Sequence, residues 1–152
     1  MNVVTKSGTN AYSGTGFFFG RNQNFNARNY FATGSTPRYA QVRDGGSFGG
    51  PIVENKTHFF SAFEYNNVDT VTIVALPAAN PYAAAFNGQW PSGNRNYMGD
   101  AKVDHRFNDR NSMFVRWSYD NQTTRGGCAA IATCVNDYSR SHSIAAEENW
   151  IL

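Results

Sequence analysis

Two aspartates, Asp100 and Asp104, stand four residues apart in the stretch YMGDAKVDHRF, and a carboxylate pair is what acid–base catalysis would first require. Lys102 and Arg106 alternate with them, so the four side chains read as a ladder of opposite charges rather than as a proton-donating pair. His58, His105 and His142 show neither metal-ligand spacing nor an accompanying nucleophile motif. The glycine-rich DGGSFGG lacks the Lys-Ser/Thr of a phosphate-binding loop. A strand that bends, or that packs closely on another backbone, explains it more simply. Cys128 and Cys134 are separated by five residues with no histidine nearby; they read as a small loop-closing disulfide, the other reading being two free thiols. These residues point to no enzyme, no cofactor and no metal.

The composition is equally uncommitted to a soluble core. Of 152 residues only Leu76 and Leu152 are leucine, while aromatic residues make up 15%. A soluble core is usually filled by branched aliphatics. A net charge of +2 without a basic run gives no footprint for nucleic acid. No stretch approaches the ~18 apolar residues of a membrane helix, and the N-terminus shows no secretory signal.

What positions the charged residues is a period of two. Tyr97, Ala101, Val103 and Phe107 fall on one side of a strand, and Asp100, Lys102, Asp104 and Arg106 on the other. The next segment repeats the pattern, with Met113, Val115, Trp117 and Tyr119 opposed to Arg116, Ser118 and Asp120; Phe114 alone breaks it. The turn NDRN between them makes the two an antiparallel hairpin. Further strands are expected at about 12–21, 41–52, 58–66 and 143–152. In the third of these, Phe59, Phe63 and Tyr65 share a face. The connections alternate: long (22–40), short (53–57), long (70–96), short (108–111), long (123–142). YAAAF within the second long one reads as briefly helical. The expected fold is therefore all-β, an antiparallel up-and-down meander of about six strands with tight turns at one end and long loops at the other.

Alternation of this kind suits either a β-sandwich or a membrane barrel. Strands of about nine to eleven residues, aromatic residues near strand ends and a two-sign polar face favour the barrel. Six strands are fewer than the roughly eight a membrane barrel needs to close. On that reading the sheet is a piece of a larger wall.

Specific strings sharpen the reading. NVVTKSGTN, GTGFFFGRN, ARNYF, GGSFGGPI and KTHFFSAFEY, in that order, resemble the plug-to-barrel junction of TonB-dependent outer-membrane receptors. The nearest branch is the Oar-like one, whose full-length members carry a carboxypeptidase-regulatory-like domain before the plug. The resemblance implies that residues 1–10 end the plug and that 11–152 are the first strands of a barrel of about twenty-two. It implies a bacterial outer-membrane location, uptake of a large scarce nutrient (a metal chelate, vitamin or glycan), and outer-membrane lipid as a partner. The TonB complex would engage through an N-terminal segment not among these residues.

Substrate-facing candidates are then Asn94, Arg95 and Asn96 at a loop base, with Asp100, Lys102, Asp104, Arg106, Arg116 and Asp120 on the inner face. Lipid-facing candidates are Phe17, Phe19, Phe59, Phe63, Tyr65, Val103, Phe107, Val115, Trp117 and Tyr119; Phe18 is expected to point inward. The competing expectation is a secreted or surface β-sandwich for adhesion or carbohydrate binding, with Tyr82 and Trp90 as sugar platforms.

Overall fold

A computed structural model describes residues 6–25, 36–126 and 136–151. Six strands form one antiparallel sheet in chain order: β1 (Ser13–Asn22), β2 (Tyr39–Val53), β3 (Thr57–Val74), β4 (Gly88–Asn108), β5 (Asn111–Arg125) and β6 (Asp137–Trp150). This is the all-β meander expected from the alternation. Short turns join β2 to β3 and β4 to β5. In the first of them Asn55 takes the left-handed conformation (φ 60°), which asparagine tolerates better than most residues. The expected helical YAAAF is a single turn, α1 (Ala83–Phe86). Cys128 and Cys134 lie outside the described residues.

The strands run longer than the sequence suggests. β3 has 18 residues and β4 has 21, so the second long connection shrinks to residues 75–87. The β-branched run Val68–Val74 supplies strand propensity on β3. The facing stretch of β4 contains Gly88, Pro91 and Gly93, which disfavour a strand locally; pairing with β3 holds it extended. Pro91 is accommodated because β5 pairs no further than Gly93, leaving β3 as the one neighbour at that level. Pro51 uses the same device, since β1 pairs β2 only as far as Gly49.

Register assigns every side chain to a face. Phe59, Val103, Val115 and Ala146 stand in one row across β3 to β6, and Ala101, Trp117 and Ile144 occupy the row above. Phe63, Tyr65, Tyr119 and Phe48 share that face, as does Phe107, whose ring meets His105 edge-on at 4.5 Å. Phe17 and Phe19 do not. They pair with Gly45 and Arg43 on the opposite face, while Phe18 lies on the apolar side opposite Asp44, in the row of Tyr65. The expected facing of the three phenylalanines is therefore reversed. Two aromatics out of three looked like the lipid side, but hydrogen bonding to β2 leaves no freedom to turn β1 without breaking the row.

Gly45 makes room for the inward ring. A Cβ there would collide with the Phe63 carbonyl oxygen and come within 2.9 Å of Phe17 Cζ, whereas one at Gly16 would meet nothing closer than 3.9 Å. We expect Gly45→Val to destabilise the sheet by about 1–3 kcal/mol through overpacking, and Gly16→Ala to be near neutral, read as shifts in the denaturation midpoint.

Candidate functional site

The polar face of the sheet carries a connected set of charges set by the register. Asp100 lies directly opposite Ser118, and Lys102 opposite Arg116. The diagonal neighbours join: Arg116 Nε donates to Asp100 Oδ2 at 2.7 Å, and Ser118 Oγ donates to the same oxygen at 2.8 Å. Lys102 pairs with Asp104 on its own strand at 2.8 Å. On the neighbouring strands Arg43 holds Glu64 through two hydrogen bonds of 2.7 and 2.9 Å. Such a two-point fork fixes orientation as well as charge.

Lys102 is the focus of this network. It is 7% exposed, although lysine is rarely buried without partners. Its ammonium is 2.8 Å from Asp104, donates to Ser7 Oγ at 2.7 Å, and sits 4.7 Å from the centre of the Phe114 ring. Phe114, the residue that breaks the alternation of β5, is thus a cation–π wall for Lys102.

The Ser7 contact shows where the segment before β1 runs. It lies along the polar face, with Asn10 Oδ1 accepting from the Asn55 backbone N–H at 2.9 Å and lying 2.7 Å from His58 Nε2. A Cβ on Gly8 would collide with the Phe59 carbonyl oxygen and stand 3.0 Å from that of Gly50. Gly49 and Gly50 are themselves buried. Gly50 of the glycine-rich DGGSFGG leaves room for the Tyr12 ring, with which a Cβ there would collide.

Above this network the same face opens into a groove of about 410 Å³ across the strands, lined by Thr15, Phe17, Glu64, Asp100, Asp120 and Ser141 among others. Hydroxyls and carboxylates dominate its polar lining, and the Asp120 carboxylate has no hydrogen-bonding or ion-pair partner among the described residues. Such a surface can exchange hydrogen bonds with a polar solute. It presents no paired nucleophile and base, and no group of three metal-ligating side chains occurs among the described residues.

Of the sequence candidates, Asn94, Asn96, Asp100, Lys102, Asp104, Arg116 and Asp120 share the polar face. Arg106 shares it too but stands at the turn end, donating to the Asn55 carbonyl at 3.2 Å. Asn94, Arg95 and Asn96 are not at a loop base: they lie within β4, paired on both sides. Arg95 points to the other face, where its Nε makes a 3.4 Å contact with Asn67 Oδ1. Trp90 is no free platform either, since its indole N–H donates to the Phe86 carbonyl at 2.9 Å. Sequence reasoning missed Arg43, Glu64 and Ser7 as partners. For the first two, strand parity was visible but the diagonal that joins them was not.

Asp100 and Arg116 keep about a quarter to a third of their side-chain surface exposed, so screening limits their pairing. We expect Asp100→Ala and Arg116→Ala each to cost about 1 kcal/mol or less, with the double variant costing less than their sum; a double-mutant cycle on denaturation midpoints checks this.

The comparisons with known proteins agree with this geometry. A family model described as an outer membrane beta barrel domain matches residues 4–93, more than half of the chain. No curated protein and no solved structure matches it.

Proposed function

Because the chain belongs to the outer membrane beta barrel domain family, we propose that it forms the opening strands of the wall of a TonB-dependent transport receptor, which takes up a large scarce nutrient through a plugged lumen. The observation that carries this reading is the course of residues 6–10, which lie against the polar face and are tied to Lys102, His58 and Asn55 before the chain turns into β1. A plug domain inside the barrel would leave by such a route. The ordered strings from NVVTKSGTN to KTHFFSAFEY supply the family resemblance, nearest the Oar-like branch.

The distribution of apolar residues along the sheet supports a membrane setting. On the apolar face the aromatic and aliphatic rows run from Phe107 and Trp150 near the short turns to Tyr65, Tyr97 and Tyr119. Ten positions separate Tyr97 from Phe107 on β4, about 34 Å of strand. With the usual barrel tilt this spans the ~25 Å apolar band of outer-membrane barrels. Tyr65 and Tyr97 touch at 4.9 Å between ring centres and belong to the upper aromatic girdle. Beyond them the same face turns to Asn67, Asp69 and Arg95, so the outer halves of β3 and β4 rise out of the hydrocarbon at the long-loop end. The apolar-face residues Phe18, Phe59, Phe63, Val103, Val115, Trp117 and Ile144 then meet lipid, and the polar face lines the lumen. A β-sandwich would need a second sheet over the apolar face; the described strands form one sheet. Catalysis has no part in this reading, and no cofactor is invoked.

Closing the wall takes more than six strands, so β1 and β6 find further neighbours in the complete barrel. The lumen-facing groove, with Asp100, Asp120 and Glu64, is where a polar solute would pass.

Facing is tested on β6, where neighbours alternate. Ile144→Arg, in the row of Ala101 and Trp117 near the middle of the band, is expected to destabilise the barrel by about 2–4 kcal/mol. Ser143→Arg, in the row of Ser118 on the polar face, should be tolerated; urea midpoints in lipid vesicles separate the two. TonB coupling is tested with the full-length receptor. It should bind the periplasmic domain of TonB through a short segment upstream of the plug, and lose that binding when the segment is deleted. A receptor with no upstream plug and no TonB binding would defeat the transport reading while leaving the barrel intact.

A further inference from the structure

On the apolar face, just beyond the tyrosine girdle, the side chains become basic. Arg95 lies two residues outward of Tyr97, and Arg125 pairs with Gly93 two residues further. Both are thus about 7–14 Å along the strand from the girdle, the depth of a lipid headgroup layer. Arg38, immediately before β2, joins them around one cavity of about 370 Å³ that also includes Asp69 and Pro91. Arg140, opposite Asn121, continues the basic band onto β6.

These cations are not spent on internal pairing. The ion pairs among the described residues involve Arg43, Lys102 and Arg116, and none of them uses Arg38, Arg95 or Arg125. Arg95 has only the long contact to Asn67, and Asp69, the one carboxylate in the cavity, accepts from Asn67 Nδ2 at 3.3 Å. Three guanidinium groups therefore converge against a single carboxylate. The lumen groove and its carboxylates lie on the other face, so a solute in transit does not meet this cluster.

We propose that Arg38, Arg95 and Arg125 form a binding site for the phosphate of an outer-leaflet lipid headgroup. The arginine fork matches the oxygens of a phosphate two at a time. Basic pockets placed at headgroup depth on a membrane protein recognise anionic lipid heads. A phosphorylated glycolipid seated here would neutralise the cluster and anchor the outer rim of β3, β4 and β5 to the leaflet. The inference rests on the membrane placement proposed above.

The test uses the full-length protein in phosphatidylcholine vesicles containing lipid A, lipid A with inorganic phosphate added to the buffer, or enzymatically dephosphorylated lipid A. Lipid retained after extraction is counted by native mass spectrometry. Lipid A should be retained at least about tenfold more strongly than its dephosphorylated form, and inorganic phosphate should not displace it. The triple variant Arg38→Gln, Arg95→Gln, Arg125→Gln should lose that preference while keeping heat-modifiable migration on gels. Equal retention of the two lipids by the unaltered protein, which requires no variant, overturns the proposal. So does displacement by free phosphate, or an undiminished preference in a folded triple variant. Absence of heat-modifiable migration in the unaltered protein would instead defeat the membrane placement, and this proposal with it.

Discussion

In a hydrocarbon setting no water is available to satisfy a backbone N–H or C=O, and a sheet can remain there only if each strand bonds its neighbours. The ladder from β1 to β6 meets that demand across the apolar band, and most other features of the structure follow from it. Because side chains alternate along a bonded strand, one choice of register assigns every residue to lipid or lumen. The reversal at Phe17, Phe18 and Phe19 illustrates the force of this. Their hydrophobicity is equal, and only the pairing of Phe18 with Asp44, beside Tyr65, decides which ring turns outward.

The same ladder brings the charges together. Asp100 joins Arg116 rather than its sequence neighbours Lys102 and Arg106, because the antiparallel pairing sets Ser118 and Arg116 alongside it. Lys102 is left to Asp104, Ser7 and the Phe114 ring. Buried charges are costly unless so surrounded, and the segment before β1 completes the surroundings. The sheet and the segment before β1 are in this way mutually dependent. Gly8 allows the close approach that brings Ser7 to the lysine, since a Cβ there would collide with the Phe59 carbonyl oxygen.

Much of this was legible from residue order. The alternation in Met113–Tyr119 and Tyr97–Phe107, the tight NDRN turn and the alternation of short and long connections all correspond to what the sheet shows. The outer halves of β3 and β4 were not legible. Pro91, Gly88 and Gly93 read locally as loop, and it is the β-branched Val68–Val74 on the neighbouring strand that overrides them. The position of Arg95 was misread for the same reason: a residue assigned to a loop base has no defined face, whereas one in a paired strand has.

The sequence by itself determined the class of structure and its asymmetry. A period of two, aromatic residues in place of leucine and turns of unequal length are properties of residue order, and they point to a meander with one apolar face. Only the tertiary structure decided where the strands end, which of three adjacent phenylalanines turns outward, and which acid meets which base. Each of those depends on a partner strand tens of residues away, and a local pattern contains no information on where along that partner the hydrogen bonds will begin.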